Sequence, residues 1–148
     1  MKRVLCVWLP DFPIQRLHTE RPETKSTACV LYVRSGDRAQ VVISSSEAVR
    51  RGVRSGMPLA EAQALLESAA FIPHNTAADA QELNVLAERC CRYSPLVGQD
   101  LSGNTHCLML DISGCSHLFG GESGLVRQLV VDLAERNYFA HVATAGTV

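Results

Sequence analysis

The sequence predicts an α+β fold in which a β-α-β-β-α-β series carries a small α/β lobe inserted after its first strand. Three observations predict it. Apolar runs closed by chain breakers at 4–9, 106–112 and 138–145 read as strands, with 94–101 as a further extended edge. Two stretches, 77–92 and 122–136, instead repeat leucines at helical spacing. Between the first strand and the first of these helices, residues 11–72 carry strand and helix signals of their own. With 11–72 set aside, the order is that of the split βαβ, ferredoxin-like arrangement: one antiparallel sheet with both helices on one face. Its central strands are the first and third, here 4–9 and 106–112, so a site on the uncovered face draws on both.

Each element has its local reason. VLCVWL at 4–9 is continuously apolar and stopped by Pro10, as in a central strand covered on both faces. ACVLYV at 28–33 and QVVIS at 40–44 flank Gly36 and Asp37, the composition of a hairpin turn. EAVRRG makes a short helical turn closed by Gly52. A further helix starts at Ser55 or Gly56, takes Pro58 in its first turn and aligns Leu59, Ala62, Leu65 and Leu66. The helix at 77–92 sets Leu83, Leu86, Ala87 and Cys90 on one face, with Asp79, Glu82 and Glu88 opposite. Gly103 and Asn104 read as the turn that pairs 94–101 with 106–112. In 122–136, Leu125, Leu129 and Leu133 align with Val126 and Val130 beside them, and Phe119-Gly120-Gly121-Glu122 serves as the device that starts that helix.

Composition narrows the function classes. Of 148 residues 47% are apolar, which excludes disorder, and 14 Lys plus Arg against 15 Asp plus Glu leave no bulk charge for a polyanion. Nucleic-acid contact would have to come from a local patch. Cys6, Cys29, Cys90, Cys91, Cys107 and Cys115 lie mostly in apolar runs, as reduced, buried thiols do, which points to the cytosol. The apolar start is too short for a signal-peptide core, and no run reaches the roughly 18 residues of a membrane span.

Residues 41–65, VVISSSEAVRRGVRSGMPLAEAQAL, resemble the fingers segment of Y-family (UmuC/DinB-like) translesion DNA polymerases, and LMLDISGCSHLFGG at 108–121 resembles their palm. The first strand resembles the family's first metal-binding strand. The resemblance implies a palm from 1–10 and 73–148 and a fingers lobe from 11–72. A polymerase palm clamps two Mg²⁺ ions about 3.5–4 Å apart with carboxylates on the central strands. Here the family's first metal-binding Asp aligns with Trp8, and its catalytic Asp-Glu pair with His106 and Cys107. None of the three is a hard oxygen ligand. The family's triphosphate-holding Tyr and Arg align with Ser46 and Val49, and its sugar gate with Pro13. This pattern is similar to the ImuB type, catalytically degenerate homologues that act as adaptors in bacterial mutagenic repair. The resemblance implies a non-catalytic protein of the bacterial cytoplasm and nucleoid, with no cofactor. It further implies DNA, an error-prone replicative-type polymerase, the sliding clamp and a recombinase or mutasome accessory protein as partners. The clamp-binding segment, thumb and little finger of such proteins lie further along, so it also implies an N-terminal piece.

Other signals carry less. Arg34, Arg38, Arg50, Arg51 and Arg54 concentrate positive charge in the lobe, suited to template phosphates or simply to a solvated surface. His106, Cys107, Cys115 and His117 lack the spacing of a zinc site. Trp8 could stack on a base, although a Trp inside an apolar strand is more often packed. Asp11 reads as a solvated turn residue and Asp111 as a structural hydrogen-bonding group. Two other classes stay open: an active, divergent polymerase, which would use Mg²⁺, and an unrelated ferredoxin-like interaction domain.

Overall fold

A computed structural model describes residues 1–100 and 105–147, which divide into two compact units: Met1–Pro10 with Ala80–Val148, and Asp11–Asp79. The fold is α+β. In the first unit β1 (Lys2–Trp8), β5 (Val97–Gln99), β6 (Cys107–Asp111) and β7 (His141–Thr147) form one antiparallel sheet, in the order β5-β6-β1-β7. The first and third strands of the series are thus central. Alternation decides what each strand buries: Leu5, Val7 and Leu9 are buried, as are Leu108 and Leu110, whereas Trp8 and Met109 are exposed. One face is therefore core and the other is open, so β1 is central but not covered on both faces as its apolar run predicts.

The core side is supplied by α4 (Thr76–Cys90) and α5 (Glu122–Glu135), which bury Leu83 and Leu86, and Leu125, Leu129 and Leu133. The two helices are tied to each other and to the sheet by polar groups. The Tyr93 hydroxyl donates to Asp132, and the Tyr138 hydroxyl to Glu82 at 3.1 Å. Arg3 of β1 makes a two-pronged pair with Glu122 at the start of α5, 2.7 Å at each contact. Gly121 precedes α5 with φ 100° and Gly120 has φ 78°, so this segment does start the helix through glycines.

The second unit has the strand order β3-β2-β4, with β2 (Cys29–Ser35) and β3 (Arg38–Ser44) forming the hairpin through Gly36, and β4 (Ala70–Pro73) lying parallel to β2. Both faces of this sheet are covered. Val30 and Val41 pack with Ala48 of α2 (Ser46–Arg50), Ala62 of α3 (Leu59–Leu65) and Leu66, while Cys29 and Leu31 pack with Ile14 and Leu17 of α1 (Phe12–Glu20).

Several expectations need correction. α1 and β4 carry no expected counterpart. α3 begins at Leu59, after Pro58 rather than around it, because residues 56–58 are tied to β3: Gly56 N–H donates to the Val41 carbonyl, and Val41 N–H to that of Met57. Leu65 is 45% exposed, and Leu66 takes the buried place. Asp79 is buried rather than on a polar face, since Arg16 Nε and His74 Nε2 each approach its carboxylate at 2.6 Å. That anchorage places Asp79 with the second unit, and the division falls at 79/80, inside α4. The strand expected at 106–112 starts at Cys107, because His106 has φ 47°. The expected turn at Gly103 and Asn104, with Leu101, lies outside the described residues.

Candidate functional site

The open face of the first sheet is where the central strands can present chemistry. Register pairs Trp8 with Cys107, Cys6 with Met109 and Val4 with Asp111 across β1 and β6, and directly opposed residues share a face. On the other side β7 sets His141 opposite Trp8 and Ala143 opposite Cys6. Asp111 is the sole acidic residue within β1 and β6, and it stands at the far end from Trp8. The hydroxyl and backbone N–H of Ser113, with Lys2 nearby, hold its carboxyl below the ordinary value; the N–H donates to Asp111 Oδ1 at 3.0 Å. Its expected hydrogen-bonding role has this concrete form.

Burial raises the pKa of the Cys107 thiol first, the neighbouring Cys6 thiol and Asp100 next, against a lowering hydrogen bond to the Thr105 carbonyl at 3.6 Å. His106 precedes the ladder in a left-handed conformation, and its carbonyl accepts from Leu9 N–H at 3.2 Å. Among the described residues no group of three or more His, Cys, Asp or Glu could hold a metal ion. The donors at Trp8 and Cys107 are an indole and a thiol, which do not fit a hard cation such as Mg²⁺.

Trp8 is not packed away. It is 45% exposed because even positions of β1 face the open side, and its ring stacks on His141 with centroids 5.3 Å apart and planes at 28°. Phe139 meets the other ring of that pair, His141, edge-on at 4.8 Å. His141 and Phe139 were missed in the sequence; the usable signal was the strand at 138–145, but its pairing to β1 is not written locally. The thiols also differ from expectation: Cys29 and Cys90 are buried, Cys6, Cys107 and Cys115 are partly exposed, and Cys91 is exposed, all of them free.

In the second unit Arg34 and Arg38 line a groove of about 560 Å³ with Asp37, Gln40, Pro58 and Gln63, and the Arg34 guanidinium lies 5.9 Å from the Tyr32 ring centroid. Arg50, Arg51 and Arg54 are exposed at the end of α2 and just after it. Ser46 and Val49 are exposed on α2, whose Ala48 is buried, while Pro13 is buried in the first turn of α1. The hairpin thus brings Arg34 and Arg38 together.

Residues 7–147 match the impB/mucB/samB family. The chain belongs to that family. This impB/mucB/samB domain is 38% identical over 96 residues to Protein ImuB of Caulobacter vibrioides, across 65% of this chain and 20% of the relative. It therefore spans about a fifth of the length of the curated relatives it matches. Its fold is that of solved Y-family polymerases: DinB from Sulfolobus solfataricus superposes with a TM-score of 0.79 at 22% identity, over 99% of this chain and 42% of that one. An insertion ternary complex of Dbh DNA polymerase gives 0.82 at 20% identity, over 99% and 43%. The family match sets aside an unrelated ferredoxin-like domain. No helix among the described residues of this family member is long and apolar enough to cross a membrane.

Proposed function

We propose that this impB/mucB/samB domain is a non-catalytic, polymerase-shaped module of SOS-type translesion repair. It binds damaged or primed DNA and serves the recruitment of an error-prone replicative-type polymerase and the sliding clamp, with a recombinase or mutasome accessory protein as a further partner. The observation that carries this is the pairing on the central strands, where Trp8 faces Cys107 and Cys6 faces Met109. Two-metal nucleotidyl transfer needs carboxylates at such positions to bridge both ions. The exposed Ser46 and Val49, which offer no phenol or guanidinium for a triphosphate, support the same reading. Its similarity to Protein ImuB supports the adaptor role. Arg34, Arg38, Arg50, Arg51 and Arg54 are the proposed phosphate contacts, and the reading assigns no cofactor.

The test is primer extension on a primed template with Mg²⁺ or Mn²⁺ and all four deoxynucleotides, beside a gel shift on the same DNA. A salt-sensitive shift without extension is expected. Extension that disappears when a residue of β1 or β6 is altered would establish a divergent, metal-dependent polymerase instead.

A further inference from the structure

Trp8, His141 and Phe139 form an exposed ring cluster at one end of the open sheet face. The β1/β7 register fixes Trp8 opposite His141, so one face of the indole rests on the imidazole at 5.3 Å while 45% of the residue stays in water. Phe139, 60% exposed, braces His141 from the side at 81° between planes. An indole held flat by a neighbour and left open is a pre-oriented π surface, and aromatic area of this kind is rarely left wet without a ligand. In the row beside the rings, Cys6 stands between Ala143 and the partly exposed Met109, with Gly98 beyond. Such a surface suits a planar ligand lying on the sheet better than a branched side chain seeking a hole.

Residues 1–10 and 136–147, which carry the three rings, contain no Asp or Glu. Lys2 is the cation that β1 places on the open face, whereas Arg3 lies on the other side and is paired with Glu122. Asp111 sits at the other end with Lys2 beside it, and Asp100, at the β5 edge, receives a hydrogen bond from Thr105 at 3.2 Å. Aromatic rings on the open face of a four-stranded sheet are a general means of stacking splayed bases; here Trp8 stands on the central β1, His141 on the edge strand β7, and Phe139 just before it.

We infer that the Trp8–His141–Phe139 platform stacks against an unpaired base of a single-stranded DNA segment, an inference that rests on the DNA-binding reading above and gives it a site. Trp8 is the single tryptophan of the chain, so its emission reports this surface alone. The protein is titrated with a labelled oligodeoxythymidine of about 12 nucleotides, a length within the usual site size, while anisotropy and Trp8 emission are followed together. Expected are quenching that saturates with the anisotropy and no quenching by the same strand made abasic. Trp8→Ala should weaken binding about tenfold, ~1.4 kcal/mol, with Trp8→Phe retaining most of the affinity. Phe139→Ala, outside the sheet ladder, carries the comparison if Trp8→Ala loses its circular dichroism. Normal anisotropy with unchanged emission and full affinity in the variants overturns the platform and leaves DNA binding standing. No anisotropy change overturns both. Emission that depends on protein concentration without DNA overturns it in favour of a second copy covering the rings.

Discussion

Asp79 accepts from Arg16 Nε and pairs with His74 Nε2, each at 2.6 Å, with all three side chains under a tenth exposed. Removing one member strands a buried charge, so Asp79→Ala should lower the unfolding free energy by about 3 kcal/mol, read from a urea midpoint. Cys90 makes a pH prediction. Burial, helped by Cys91 and Asp132, pushes its thiol up to about 11. An acid whose folded pKa is raised stabilises the fold below its unfolded value and loses that contribution as pH rises through the folded one. Stability should therefore fall by about 2–3 kcal/mol between pH 9 and 11, and Tyr93, raised by burial and by Asp132, continues the decline. Urea midpoints at pH 8.5 and 10.5 check this, and Cys90→Ala should flatten the difference. At this scale the sequence showed Cys90 as apolar but hid Asp79, whose helical position is polar in pattern and whose partners sit 63 and 5 residues away.

The turn into α5 depends on absent side chains. A Cβ on Gly124 would stand 1.9 Å from the Phe119 carbonyl oxygen and 3.0 Å from its carbon, a backbone neighbour that cannot swing aside. Gly124→Ala should cost about 3 kcal/mol, at the upper end of overpacking, with a matching fall in thermal midpoint. Leu129→Ala in the same helix should cost about 2–5 kcal/mol by leaving a cavity in the core. Elements with a strong period or a clear breaker were legible: β1, the β2–β3 hairpin, α4, β6 and α5 lie within a few residues of expectation. α1 was not, because nine residues including Pro13 and five polar or charged side chains give a weak period. β4 was not, because four residues become a strand only through a parallel partner some forty positions earlier.

Across the whole molecule, 14 cationic against 15 acidic side chains mean that DNA affinity must come from local patches. Replacing Arg34, Arg38, Arg50, Arg51 and Arg54 together by Ala should flatten the plot of log affinity against log salt by about 0.7–0.9 for each phosphate that is no longer neutralised. An unchanged slope in gel shifts at several salt concentrations would assign them to solvated surface. By itself the sequence determined the α+β class, the strand order of the sheet and its central pair, and membership of the polymerase-like family, because periodicity, breakers and local motifs are written along the chain. Only the tertiary structure decided which residues share the open face. Trp8 meets His141, and Cys6 comes beside Cys107, through antiparallel registers that join positions a hundred or more residues apart, and burial of the opposite face selects which parity of each strand stays in water.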